Sequence, residues 1–255
     1  MQQPIPNSQL LIPYCLHLAD TTLILSQRNS EWCGHGPILE QDIAITNISL
    51  DLLGQSRNFY QYAAELISQK NGNIVTEDSL AYLREATEFK NLLLAELPRG
   101  DWGNTILRQY LFSEFQFILF EQLKNHADTQ LAAIAAKGIK ETTYHIRWSK
   151  EWVIRLGDGT AESHNRIKAA LSMLWAYTDE LFIPAEYEVN LGIDFDILKK
   201  IWLEKVMAVF EEATLSIPEN IVMHTGGKNG LHTSELELIL AEMQQLQRTY
   251  PGAEW

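Results

Sequence analysis

Glu141 and His145 stand four residues apart in the run Ile139–Arg147, IKETTYHIR. On a helix that spacing projects a carboxylate and an imidazole from one face. Their neighbours at helical spacing are Ile134, Gly138, Trp148, Trp152 and Leu156, so the pair falls inside a mostly apolar seam, where a polar group without a partner is costly. Carboxylates and imidazoles so arranged are the donors of helical di-iron proteins, which take a Glu-x-x-His pair from each of two helices and a single Glu from each of two others. Here the i+3 position holds Tyr144, and the histidine arrives one residue late.

The other candidate donors are carboxylates. Asp51 is followed at i+3 by Gly54, where a second Glu-x-x-His pair would carry its histidine. A solvated stripe (Asn47, Asp51, Gly54, Asn58, Glu65) and a buried polar seam are both compatible with that face. Glu114 sits in YLFSEFQFILF, apolar almost all round, and there needs a metal, a cation or a hydrogen-bonded network. Asp20 lies between Leu16, Leu23 and Ile24, with His17 at i−3 as a local partner. A di-iron pair needs about four carboxylates and two histidines. Asp20, Asp51, Glu114 and Glu141 supply the first, and His145 alone cannot supply the second. The set is therefore expected to be a polar core network, its carboxylates paired with His145, Arg28 or Arg57. No catalytic or metal-ligating residue is expected.

Helices must position these residues. The patterning predicts segments at about 9–28, 38–70, 77–97, 104–125, 129–156, 161–182, 194–214 and 234–250, with no alternating strand pattern. Gly157-Asp-Gly159 stops the helix that carries Glu141. Thr76 reads as an N-cap, and Ser234 with Glu237 as a capping box. Residues 1–8, with Pro4 and Pro6, read as a loose tail. No linker or repeat divides the chain, so one all-α domain over 1–255 is expected.

Composition narrows the function classes. A net charge of −13 argues against nucleic acid and anionic membrane surfaces, which demand Lys and Arg. No apolar run reaches eighteen residues, and no basic residue precedes the patchily apolar Leu10–Leu25, so neither a membrane span nor a signal peptide is expected. Cys15 and Cys33 fit no disulfide framework or zinc spacing, and free cysteines in an acidic chain suit the cytoplasm. Gly226-Gly-Lys-Asn-Gly230 lacks the order of a phosphate-binding loop and reads as a glycine turn. Lys228, with His232 nearby, is the candidate contact for an anion or an acidic partner.

Three long strings resemble a known family. LSQRNSEWCGHGPILEQDIAITNISLDLLGQSRNFYQYAAEL (Leu25–Leu66), AAKGIKETTYHIRWSKEW (Ala135–Trp152) and TGGKNGLHTSELELILAEMQQLQRTYPG (Thr225–Gly252) are similar to the C-type subunits of phenylacetyl-CoA 1,2-epoxidase. Likeness extends over most of the chain and is looser at 158–198. It implies a ferritin-like helical bundle with additional C-terminal helices. It also implies a structural role in a multicomponent oxygenase that converts phenylacetyl-CoA and O₂ to the ring-1,2-epoxide. In that family an A-type subunit holds the di-iron centre, and an NADPH-fed reductase carries FAD and an iron–sulfur cluster. No cofactor is then expected in this chain; the A-type catalytic subunit and the other epoxidase subunits are its expected partners. Asp20, Asp51, Glu114, Glu141 and His145 become the relic of a metal site, and Lys228 and His232 the candidate contacts with a partner or with CoA.

Overall fold

The computed structural model describes residues 8–253. It is built from α1 (Ser8–Ser30), α2 (Leu39–Asn71), α3 (Glu77–Tyr82), α4 (Leu93–Glu96), α5 (Trp102–Leu123), α6 (Thr129–Gly157), α7 (Ala161–Leu174), α8 (Phe195–Glu212), α9 (Ser234–Met243) and α10 (Gln245–Thr249), with short 3₁₀ turns between some of them. No strand occurs among the described residues. Of the tail expected at 1–8, residues 1–7 lie outside the described range, and Ser8 already opens α1. Cys15 and Cys33 are both free thiols.

Two long antiparallel pairs, α1–α2 and α5–α6, form a four-helix bundle, closed where α2 meets α6. Side-chain contacts give the register. Ser26 donates to Ser49 O and Ser56 to Ala19 O, so α1 and α2 run in opposite directions. Gln55 meets Glu141 while Gln41 meets Trp148 and Trp152, so α2 and α6 do too. α5 is buried on nearly every side, as its apolar circumference requires: α7 and α8 cover the faces that α6 leaves open. Asp101, Asp128, Thr160 and Asp194 cap α5, α6, α7 and α8 by accepting a hydrogen bond from the N–H three residues on.

Three expected elements differ. The helix expected over 77–97 breaks after Tyr82, because Arg84, the Lys90 peptide and Leu92 N–H are all drawn onto α1 by bonds to Asp20 and Thr21. The one expected to reach 182 ends at Leu174 and continues as two 3₁₀ turns, from which Glu180 points inward. Thr233, not Ser234, caps α9: its hydroxyl takes the Glu235 N–H, and Ser234 is already helical.

Close approach of α5 and α6 depends on Gly138. A Cβ there would stand 2.5 Å from the Phe120 ring, which also packs on Phe59 of α2. Gly138→Val should therefore overpack the bundle centre and cost about 1–3 kcal/mol, read as a lower urea midpoint with an unchanged m-value.

Candidate functional site

The bundle interior is polar along one line, and its polar groups are mostly neutral. Gln116 of α5 donates to Gln55 of α2 at 2.9 Å, Gln55 donates to Glu141 of α6 at 2.8 Å, and the Thr142 hydroxyl donates back to Gln116 at 3.2 Å. Nearer the other end, Asn29 of α1 donates to Gln109 at 2.6 Å, which donates to Ser113 at 2.8 Å. A carboxamide both donates and accepts, so the Gln and Asn members link helix to helix without adding charge, and the first chain ends on the half-buried carboxylate of Glu141.

The five residues expected to cluster are not brought to one point. Asp51 and His145 do meet, at 3.0 Å between Oδ2 and Nε2, with His145 fully buried and its Nδ1 without a partner. Glu141 belongs to the amide chain. Glu114 lies elsewhere on α5, 3.9 Å from Lys205 of α8. Burial raises its pKa against the pull of Lys205 and Lys150. Asp20, on another face of α1, is fully buried; Tyr60 donates to it at 2.5 Å, the Lys90 peptide at 2.8 Å, and the Arg84 guanidinium pairs with it directly. His17, expected beside Asp20, instead donates Nδ1–H to Lys90 O at 2.7 Å. Arg28 and Arg57, expected as partners of the cluster, bind Glu31 and Glu235, and Glu77, respectively. Among the described residues no three His, Cys, Asp or Glu converge in a way that could hold a metal ion.

A second polar centre, built of charges, lies where the loop after α8 crosses α1 and the 84–97 segment. Glu180 accepts from the peptides of Leu93, Gly226 and Gly227 at 2.7, 2.8 and 2.7 Å. Burial raises its pKa, and those three N–H groups oppose the rise. Glycine is required at these crossings, since a Cβ at 227 would stand 2.3 Å from Asn91 O and one at 230 would stand 2.4 Å from Thr87 O. Lys228 is not presented to a partner or to CoA. It is 2% exposed, its ammonium lies 2.9 Å from Glu188 and donates to Ile183 O at 3.0 Å, and the Phe195 ring packs against it. His232 is also turned inward, with Nδ1 2.8 Å from Glu96 and Nε2 2.9 Å from Phe89 O. Both ring nitrogens face acceptors, which suits the doubly protonated imidazolium. Burial works against that charge, and the bonds to Glu96 and Phe89 outweigh it and raise the His232 pKa. The glycine-turn reading of 226–230 therefore holds and the contact reading does not: a loop lysine looks exposed in sequence until a buried carboxylate forty residues upstream claims it.

Sequence reasoning missed Glu96, Glu180, Glu188, Arg84, Gln55 and Gln116. Glu96 in NLLLAELP and Gln116 in FQFILF are polar residues in apolar runs, a signal that names a buried group without naming its partner; Gln55, Arg84, Glu180 and Glu188 have polar neighbours in sequence and carry no such signal.

The chain matches the family described as Phenylacetic acid catabolic protein across residues 1–255. It belongs to that family. It is also 47% identical over 250 residues to the C subunit of the 1,2-phenylacetyl-CoA epoxidase of Escherichia coli (strain K12), an alignment covering 96% of this chain and 99% of that protein. The phenylacetic acid catabolic fold of this chain is thus an all-helical, ferritin-like bundle with added C-terminal helices, and no helix among its described residues is long and apolar enough to cross a membrane.

Two stability measurements check the charged centre. Asp20→Asn strips the buried Arg84 of its carboxylate and should cost about 3–5 kcal/mol, the usual penalty for leaving a buried charge unpaired, in urea unfolding. The His232 pKa is raised on folding, so its contribution is complete below its unfolded value of about 6.5 and is lost as pH rises through the folded value. The stability gap between wild type and His232→Gln should accordingly narrow from pH 5.5 to 9.

Proposed function

We propose that this chain is a non-catalytic structural subunit of a cytoplasmic, multicomponent phenylacetyl-CoA epoxidase, holding and orienting the catalytic oxygenase subunit during aerobic phenylacetate breakdown. The observation that carries this reading is the chemistry of the bundle interior. Where a di-iron protein needs carboxylates and two imidazoles facing one point, α2 and α5 here contribute Gln55 and Gln116, amides already bonded to each other. Asp20 and Glu114 are engaged on other faces, and His145 is a single imidazole held by Asp51. These donors do not fit a di-iron pair, and no step of oxygen chemistry is derived through them.

In this reading the di-iron centre belongs to the A-type partner, and the FAD and iron–sulfur groups to the reductase. This chain supplies a rigid surface. Its similarity to a protein named as part of an epoxidase supports the assignment, as does an interior in which side-chain hydrogen bonds link all four bundle helices.

Anaerobic loading of the purified chain with Fe(II), followed by desalting and iron analysis, should leave near-zero retained iron; about two irons per chain would overturn the proposal. Glu141→Gln, which keeps the hydrogen-bonding shape, should support partner-assisted epoxidation within about twofold of wild type. A folded, partner-bound Glu141→Gln chain that abolished turnover would count equally against it.

A further inference from the structure

Three arginines are buried among the described residues, and two of them are given acids. Arg84 pairs with Asp20, and its Nε donates to Leu80 O. Arg28 donates to Glu96 O through Nε and Nη2, to Glu31 through Nη1 and to Glu235 through Nη2. Arg108 of α5 is the most deeply placed of the three, at 0% exposed, and it pairs with no carboxylate among the described residues. Its Nη1 donates to Leu97 O at 2.6 Å and to Pro98 O at 3.3 Å. Nε and Nη2 meet no acceptor there. Those two N–H groups point the same way along one edge of the guanidinium, the edge that grips an anion side-on. The unbonded part of Arg108 is thus a whole anion-binding fork.

Its surroundings do not neutralise it. Arg28 and Arg108 stand on three consecutive carbonyls, 96, 97 and 98, at the end of α4, and Glu31 and Glu235 both bond Arg28. Burial and then the Arg28 charge push the Arg108 pKa down, against the pull of Glu31, to about 9, which still leaves the guanidinium charged at neutral pH. Asn104, one turn earlier on the same face of α5, is buried too, and its Oδ1 has no hydrogen-bond partner. Turning that amide over puts Nδ2 in the same place and adds a donor to the fork. A charge taken out of water without a counter-charge is among the costliest features a fold can carry.

We propose that the Nε–Nη2 edge of Arg108 holds a single chloride-sized inorganic anion inside the junction of α1, α4 and α5. Burial of the whole side chain restricts the occupant to an ion of that size and leaves no room for a coenzyme phosphate. The anion neutralises Arg108, offsets its repulsion by Arg28 and keeps the end of α4 docked on α5. The site is independent of the structural-subunit reading, and its failure would leave that reading untouched.

Two measurements on the full-length chain test it. In thermal melting at constant ionic strength, with chloride replacing gluconate, the wild-type melting temperature should rise by about 3–6 °C for each tenfold increase in chloride above the dissociation constant. Arg108→Met keeps an apolar stem and removes the charge, so it should melt at a temperature indifferent to chloride. The second measurement needs no variant: crystals of the wild-type chain, refolded from urea in bromide so that an enclosed site can fill, should show an anomalous peak bridging Arg108 Nε and Nη2. A chloride dependence that persists in a folded Arg108→Met chain would place the ion elsewhere and overturn the proposal. So would water in place of bromide on the two donors, or anomalous peaks confined to the surface.

Discussion

A buried carboxylate has to be given donors at fixed positions, and the C-terminal third of this chain is placed by that requirement. Glu180, Glu188 and Glu96 point into the region between α1, the 84–97 segment and the loop after α8. The loop answers all three within eight residues: peptides 226 and 227 for Glu180, the Lys228 ammonium for Glu188, and His232 with the Thr233 N–H for Glu96. An isolated charge in such a place would cost several kcal/mol or simply take up a proton. Bonded this way, the three acids locate the loop, and the loop locates α9 and α10. Glycine at 227 and 230 follows, because the peptides can reach their acceptors only where no Cβ stands between backbones.

The bundle solves the same problem with different chemistry. Its interior amides carry no charge to desolvate, yet each needs a partner on another helix. The Thr142–Gln116–Gln55–Glu141 chain joins α6, α5, α2 and α6 again, so sliding one helix by a turn would orphan several groups at once. Such networks are modest as net stabilisers and strict as specifiers of register. A carboxylate set would need cations or several N–H donors for each acid, as Glu180 has. The fold thus keeps the helical frame of its family and fixes it with amides, which agrees with a proposed role in shape rather than in redox chemistry.

The long helices were legible because their patterns are local. α5 and α6 fall within about two residues of their expected bounds, since the apolar pattern that defines each lies within the element itself. The four-residue spacing puts Glu141 and His145 on the side of α6 that meets α2, with His145 buried against Asp51 and Glu141 half-buried against Gln55. What could not be read was which distant residue would claim each polar group. Arg84 breaks an otherwise acceptable helix because Asp20, 64 positions earlier, pairs with it. Lys228 leaves the surface because Glu188 waits 40 positions upstream. Spacing reports the face a side chain occupies; it does not report what stands opposite.

Asp51 shows how the interior and the surface of this bundle are coupled. Its carboxylate holds the buried His145, yet its side chain remains 37% exposed, one turn from the open backbone of Gly54. The imidazole offers Nε2 to Asp51 and leaves Nδ1 unbonded, so Asp51 supplies the hydrogen bond that orients the ring, with Tyr144 edge-on beside it. Whatever covers that stretch of α2 would bury Asp51 further and strengthen its hydrogen bond to His145 as water is removed. The same step would raise the cost of leaving that carboxylate unpaired. A contact made on the outer face of α2 therefore acts on the polar line at the bundle centre through one shared residue, without any rearrangement of the helices.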